Sequence, residues 1–243
     1  MPFKDLSHTI DHGMITYKGL PGPVISDHLT REQSRALYEA GTEFHIGRIE
    51  MVANTSTYLD TPFHRYADGR DLADLDLASI ANLEGIVVRH VGAAESGLER
   101  ERFPDLTTSA KHDSGPTDRR ITSADLASHH LRGKAVLFHT GWDMRWRTEE
   151  YANGQHPFLT ADAAEYLAKE GAVLVGIDSY NIDDTADGRR PAHSILLAHG
   201  IPIVEHLCGL RELPDEGFHF FAVPVKVRRF GTFPVRAFAM VKA

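Results

Sequence analysis

Short apolar runs bounded by turn residues recur along the chain and predict buried strands. Gly85-Ile86-Val87-Val88, Ala135-Val136-Leu137-Phe138 and Ala172-Val173-Leu174-Val175-Gly176-Ile177 have the length and β-branched content of strands covered on both faces. The last two each follow a helix candidate. Ser123 is placed to cap a helix over 124–130, and Thr160 one over 161–170, an alanine-rich stretch that Gly171 would stop. Helix then strand, twice over, predicts α/β packing. Residues 218–227 and 233–241 read as two closing strands, and 42–60 as an extended stretch. The polar stretch 107–122, centred on Ser114-Gly115-Pro116, reads as a loop within one domain spanning 1–243. The predicted class is mixed α/β with a substantial sheet.

Composition narrows the function classes. The net charge of -8 comes without any basic run, which argues against nucleic acid or an anionic membrane as partner. No run approaches the ~18 apolar residues of a membrane span. Cys208 is the only cysteine, so no intramolecular disulfide forms, and a cytoplasmic location is expected. No apolar segment follows Lys4 as a signal peptide would require. Motifs such as Gly-x-Ser-x-Gly, His-Glu-x-x-His and Cys-x-x-Cys are absent from the sequence, as is a phosphate-cradling glycine loop.

Candidate chemistry concentrates in two places. Between Asn54 and His64, period-two alternation in an extended chain would put Asn54, Ser56, Tyr58 and Asp60 on one face. Pro62 disfavours a helix running through it, and His64 follows Asp60 by four residues. A carboxylate and an imidazole presented together suit a metal ligand with a general base, or an acid/base pair. A capped turn with a satisfied histidine explains the same residues. Further on, an excess of acid (Asp178, Asp183, Asp184, Asp187) precedes His193, and Glu205 follows it by twelve residues at the end of the apolar run Ile201-Pro202-Ile203-Val204. A carboxylate there either passes into water or meets a cation.

These segments together resemble the cyclase family, which includes bacterial kynurenine formamidase, isatin hydrolase and certain polyketide cyclases. Residues 54–64 are similar to the family motif His-x-Gly-Thr-His-x-Asp-x-Pro-x-His, with Thr57, Asp60, Pro62 and His64 matching. Asp5-Leu6-Ser7-His8, Thr140-Gly141-Trp142, Gly176-Ile177-Asp178-Ser179, Pro224 and Pro234-Val235-Arg236 resemble further family segments in order, and His193 and Glu205 match its later ligand pair. The resemblance implies a swivelling β/β/α fold and a homodimer or homotetramer. It also implies one or two divalent ions, zinc or manganese, that activate water against a formamide or lactam of a small-molecule substrate. His64 would be the general base, Asp60 a ligand, and His193 and Glu205 would complete the second ion's site. In such an oligomer the segment 14–23 is expected near a neighbour's pocket.

The sequence departs from the motif at its ligands. Asn54 and Tyr58 stand where the family has two histidines, and Ser56 where it has glycine. A phenol titrating near 10 is a poor ligand at neutral pH, so the first ion's site is expected to be lost and at most one divalent ion to remain, or none. His45 or Glu43 could supply a substitute ligand. Without a metal, Tyr58 could donate to a carbonyl beside the Asp60–His64 pair. Asn54, Phe63 and Trp142 are candidate substrate contacts, although core packing explains the two aromatic residues equally well. Three readings stay open: a hydrolase of a small amide, formamide or lactam; a metal-poor cyclase, dehydratase or isomerase using acid/base catalysis; and a non-catalytic binding protein.

Overall fold

The structure is a computed structural model that describes residues 2–91 and 118–242. In chain order the strands are β1 (Phe3–Asp5), β2 (Val24–Leu29), β3 (Ile46–Glu50), β4 (Tyr58–Asp60), β5 (Leu83–Arg89), β6 (Arg120–Ile121) and β7 (Ala135–His139). They continue as β8 (Phe158–Leu159), β9 (Leu174–Ile177), β10 (Ile203–Glu205), β11 (Phe218–Phe221), β12 (Thr232–Pro234) and β13 (Phe238–Val241). Nine of them form one sheet in the order β1-β13-β11-β5-β7-β9-β10-β4-β12. Its centre, β5-β7-β9-β10, is parallel, and antiparallel strands extend it on both sides. This is the mixed α/β class that the sequence predicts.

The middles of the central strands are apolar because both faces are covered there. Ile86, Val88, Val136, Phe138, Val175 and Ile177 point to one side, where they pack on Ala163, Ala164, Leu167, Ala192 and Leu196 of two helices. Their neighbours Val87, Leu137 and Leu174 point to the other, against Phe218, Phe220, Ala237 and Ala239. The two helices are Ala161–Glu170 and Pro191–Ala198. The first ends as predicted at Gly171, whose φ of 81° is left-handed. Thr160 precedes it but its hydroxyl donates to the Ile121 carbonyl instead of capping.

Several expected elements are shorter or differently bounded. The helix expected over 124–130 is a single turn, Ser123–Leu126, capped one residue earlier by Thr122 in a capping box with Asp125. Most of the loop expected over 107–122 lies outside the described residues; at its end Arg120 and Ile121 pair with Phe158 and Leu159. The closing stretch 233–241 divides in two: β12 pairs with β4, whereas β13 pairs with β11 and β1. Pro234, which has no N–H, sits on β12 at the sheet edge, where the missing donor costs no ladder bond. In 42–60, β3 pairs with β2 as a separate two-stranded ribbon. The chain then turns through Ser56, whose φ of 62° breaks the alternation, so only Tyr58 and Asp60 belong to the β4 strand. That left-handed backbone favours glycine; Ser56 is held there by its N–H to Thr16 Oγ1 and its hydroxyl to the His8 carbonyl, each at 2.8 Å. Among the described residues no helix is long and apolar enough to cross a membrane.

The edge strand β12 locks the turn that carries His64. The N–H of Thr61 donates to the Gly231 carbonyl at 2.8 Å, and a Cβ added at Gly231 would lie 2.5–2.6 Å from the backbone N and Cα of His64. Gly231→Ala is therefore expected to cost roughly 1–3 kcal/mol as an overpacked contact. That is read as a fall in thermal midpoint of about 2–4 °C per kcal/mol for a chain of this size. An unchanged midpoint would show that the two backbones can separate freely.

Candidate active site

Strand register places the site. On β4, Asp60 lies between Ile203 of β10 and Thr232 of β12, and Tyr58 lies directly opposite Glu205. The single helical turn Pro62–Arg65 then lifts His64 beside Asp60. From the other side, the segment after β9 leads into the helix Pro191–Ala198, whose first turn carries His193. Asp60 and Glu205 are both buried, at 0% and 1% exposure. Burying two carboxylates on adjacent strands is costly unless donors or a cation compensate them.

Glu205 is compensated by donors. Its Oε1 accepts the Ile182 N–H at 2.6 Å, and its Oε2 accepts the hydroxyls of Tyr58 at 2.5 Å and Tyr17 at 3.2 Å. The Asn181 amide adds a contact to Oε2 at 3.4 Å. Burial pushes Glu205 upward against the pull of His193. Burial and the neighbouring Glu205 hold the phenols of Tyr17 and Tyr58 well above their ordinary value, so both stay protonated.

Asp60 is only half compensated. Its Oδ1 accepts the hydroxyl of Thr232, while its Oδ2 is buried without a hydrogen-bond partner. The Nε2 of His193 lies 3.7 Å from Asp60 Oδ2 and 3.7 Å from Glu205 Oε1. Those separations are too long for hydrogen bonds. They are close to the roughly 3–3.5 Å expected between donors that share one ion at about 2.1 Å.

Hydrogen bonds at Nδ1 orient both histidines. His193 Nδ1 lies 2.7 Å from Asp183 Oδ2, and that carboxylate also accepts the backbone N–H groups of Ala192 and His193. An acceptor-only carboxylate requires the proton on Nδ1, which directs the Nε2 of His193 at Asp60 and Glu205. Burial lowers the pKa of His193, but Glu205, Asp183 and Asp60 together outweigh it and leave the imidazole raised to about 10. The site thus draws positive charge inward. His64 Nδ1 lies 2.8 Å from Thr232 Oγ1. The single Thr232 proton goes to Asp60, so His64 donates from Nδ1, which in the neutral ring leaves the lone pair on Nε2.

Asp60, His64 and His193 each offer a ligand atom within 4.8 Å of the others, a set that could hold a metal ion. They lie beside a cavity of about 330 Å³, to which Asn54, Tyr58, His64, His193 and Glu205 contribute lining. That volume lies at the small end of the roughly 300–1,000 Å³ typical of small-molecule sites. The six residues Asn54, Tyr58, Asp60, His64, His193 and Glu205, expected from the sequence, therefore come together. Phe63 and Trp142, expected to touch substrate, do not line this cavity. Trp142 packs with Tyr151 and Tyr180, donates its indole N–H to the Tyr151 carbonyl and lies under Arg145, so core packing accounts for it. His45 pairs with Asp27 and Glu43 with Arg35; neither lines the cavity as a substitute ligand would.

The structure adds residues that sequence reading did not assign. Asp183 orients His193, Thr232 bridges His64 and Asp60, and Tyr17 and Asn181 reach Glu205 from other segments. Asp183 belonged to a visible excess of acid ahead of His193, but nothing in that run distinguishes it from its neighbours. Tyr17 lies in the segment 14–23 that was expected near a neighbour's pocket, and it lines this chain's own cavity. Two of the further motif segments, 140–142 and 176–179, meet each other. The Asp178 carboxylate accepts the N–H groups of Thr140 and Gly141 and the Thr140 hydroxyl, which fixes the turn after β7.

Comparison with known proteins agrees with this architecture. Kynurenine formamidase from Bacillus cytotoxicus is 28% identical over 238 residues, covering 96% of this chain and 94% of that protein. Kynurenine formamidase from Bacillus cereus is 28% identical over 234 residues, with the same coverage. Among solved structures, isatin hydrolase A from Labrenzia aggregata superposes with a TM-score of 0.76 at 19% identity, covering 100% of this chain and 94% of that one. A potential metal-dependent hydrolase with cyclase activity gives 0.71 at 24% identity, covering 100% and 98%. Residues 4–184 match the Cyclase family, described as "Putative cyclase", and because that match spans most of the sequence the chain belongs to this family.

Proposed function

We propose that this protein hydrolyses the C–N bond of a small amide, formamide or lactam with the help of one divalent cation, zinc or manganese. The observation that carries this reading is the buried, unpartnered Asp60 Oδ2 facing His193 Nε2, beside a cavity of ligand size. The names of the relatives, kynurenine formamidase and isatin hydrolase, support the reaction class.

Asp60, His193 and Glu205 would hold the cation. The donor set fits it: two oxygens and one imidazole nitrogen suit zinc or manganese. Asp183 behind His193 is the carboxylate that commonly orients a ligating histidine. A bound cation would supply a Lewis acid for the amide carbonyl and would acidify water. His64, with its Nε2 lone pair free and its side chain 36% exposed, is placed to take a proton from the attacking water and to return it to the leaving nitrogen. The C–O bond forms first, and the C–N bond then breaks as the nitrogen takes the returned proton, giving a carboxylate and an amine. Tyr58 acts through Glu205, because its proton is committed there, and is a positioning residue. Asn54 reaches the cavity wall and would contact substrate.

One cation is the expected limit. Tyr58 stays a phenol, and converting it to a phenolate ligand at pH 7 costs roughly 4 kcal/mol from its reference pKa alone. Elemental analysis of the purified protein should find one divalent ion per chain or fewer. Chelation should abolish formamide hydrolysis, and added ion should restore it. The double substitution Asn54→His, Tyr58→His should raise the bound metal toward two per chain. Two tightly bound ions in the unsubstituted protein would refute the single-site reading. Activity that survives metal removal would instead favour acid/base chemistry on a carbonyl compound, with the protonated His193 balancing Asp60 and Glu205.

Two further substitutions separate the roles. Asp183→Asn should weaken metal binding about 10–100-fold, measured by titration of the metal-free protein, because the carboxylate that directs His193 Nε2 becomes a neutral acceptor with one oxygen. His64→Gln should lower kcat by about 10²–10⁴-fold while metal content stays the same. Loss of metal in the His64 variant would make His64 a ligand and leave the base to be found elsewhere.

A further inference from the structure

The turn ahead of β4 is fastened on both sides of Asn54. The Thr55 N–H donates to the Ala53 carbonyl at 2.9 Å, which closes a three-residue turn with Asn54 at its centre. The Thr55 hydroxyl donates to the Val52 carbonyl at 2.7 Å, and Ser56 is held by Thr16 and His8. Thr57, which is buried, places its hydroxyl on the His206 carbonyl at 2.5 Å. The backbone around Asn54 is therefore fixed, yet its own carboxamide makes no hydrogen bond among the described residues. That side chain is half-buried and lines the cavity together with His64, His193 and Glu205. An amide held rigidly at a cavity wall with its donors unspent calls for a partner from outside the chain.

The other uncharged donors of the lining are committed within the chain. Tyr58 gives its proton to Glu205, and Tyr17 shares its own between Glu205 and the Tyr180 carbonyl. The Asn181 amide reaches the Tyr17 hydroxyl at 3.0 Å. The arginines of the lining also have contacts of their own: Arg65 with Ser194, Arg189 with Asp187, and Arg190 with the Asp184 carbonyl. Hydrolysis of an amide creates a need for a free donor. As water adds to the carbonyl carbon, an electron pair moves onto the carbonyl oxygen, and the charge stays there until the C–N bond breaks and the carbonyl re-forms. A donor fixed beforehand at that oxygen binds the transition state more strongly than the substrate. Asn54 stands where the family motif has a ligand histidine. A neutral N–H at that position can serve the same carbonyl without an ion.

We infer that Asn54 is a catalytic residue whose Nδ2 donates a hydrogen bond to the oxygen of the scissile carbonyl and stabilises the oxyanion formed when water adds. The amide gives up no proton: it keeps both N–H groups throughout, and proton transfer stays with His64. The inference rests on the amide-hydrolase reading above for the reaction, and on the fixed turn and the unspent amide for the residue.

The protein loaded with zinc or manganese tests it, with formanilide as substrate. Asn54→Leu keeps the branching of the side chain and removes the donor. The backbone at Asn54 is not left-handed, so leucine or glutamine fits the same turn. In Asn54→Leu, kcat should fall by about 10²–10³-fold while KM changes by less than about threefold, because the bond is made in the transition state. Asn54→Gln, which carries the same donor on a longer arm, should recover part of the loss. Metal content and thermal midpoint should match those of the unsubstituted protein. Calorimetry supplies a readout without turnover. Phenylboronate, which takes up hydroxide to become a tetrahedral anion, should bind Asn54→Leu about tenfold or more weakly, whereas planar benzamide should bind both proteins equally. An unchanged kcat in Asn54→Leu, or a loss confined to KM, overturns the inference and leaves amide hydrolysis standing. A fall in metal content overturns it too, because Asn54 would then be a ligand through Oδ1. If the unsubstituted, metal-loaded protein does not hydrolyse formanilide, the reaction assignment itself fails and the role of Asn54 falls with it.

Discussion

Two carboxylates buried on adjacent strands set the terms for the rest of the site. Asp60 and Glu205 are fixed by the β4–β10 register and are buried. Left alone they would carry a penalty of several kcal/mol each. Their compensation is divided. Glu205 gathers hydroxyls, an amide and a backbone N–H, so its charge is dispersed within the chain. Asp60 receives one hydroxyl and leaves its other oxygen open toward His193. The asymmetry locates the demand for a cation on the Asp60–His193 side, not midway along the strand pair.

Tyr58 bears directly on the proposed limit of one ion, through its place opposite Glu205. A histidine opposite Glu205 would offer a neutral lone pair; the phenol offers a proton. It gives that proton to Glu205 at 2.5 Å, and Tyr17 shares the same oxygen. The two hydroxyls occupy acceptor capacity on Glu205 Oε2 that a second ion would need. On the proposed reading, Tyr58 is therefore a donor that would compete with a metal for the Glu205 carboxylate. Burial keeps the phenol protonated and makes the exchange durable.

What the sequence made legible was local in origin. The parallel centre followed from apolar runs, the helix 161–170 from its alanines and Gly171, and Asp60, His64, His193 and Glu205 from motif spacing. What it hid depended on strands meeting from distant segments. Thr232 lies 172 residues from Asp60 and becomes its partner only because β12 pairs with β4 at the sheet edge. Tyr17 lies 188 residues from Glu205 and arrives on a loop with no periodic signal. Period-two reasoning failed at Ser56 because one left-handed residue uncouples the chain before it from the strand after it. Trp142 misled for a related reason: an aromatic residue after a strand fits a pocket wall or a core equally well, and its indole N–H found a backbone partner inside.

The short segment from Asp183 to His193 closes on itself beside the cavity. Asp183 accepts the first N–H groups of the helix Pro191–Ala198 and, with the same carboxylate, the Nδ1 proton of His193. The chain between them must therefore return on itself within a few residues. It does so through Arg190, whose left-handed backbone directly precedes Pro191 at the helix start. The strain at Arg190 and the orientation of His193 are thus parts of one closure. A glycine at 190 would relax the backbone but remove the guanidinium, and a longer segment would keep the guanidinium but loosen the imidazole. An arginine in this conformation is the solution that retains both, at the cost of an unfavourable φ. The geometry that aims His193 at the buried carboxylates also brings Arg190 into the lining of the cavity.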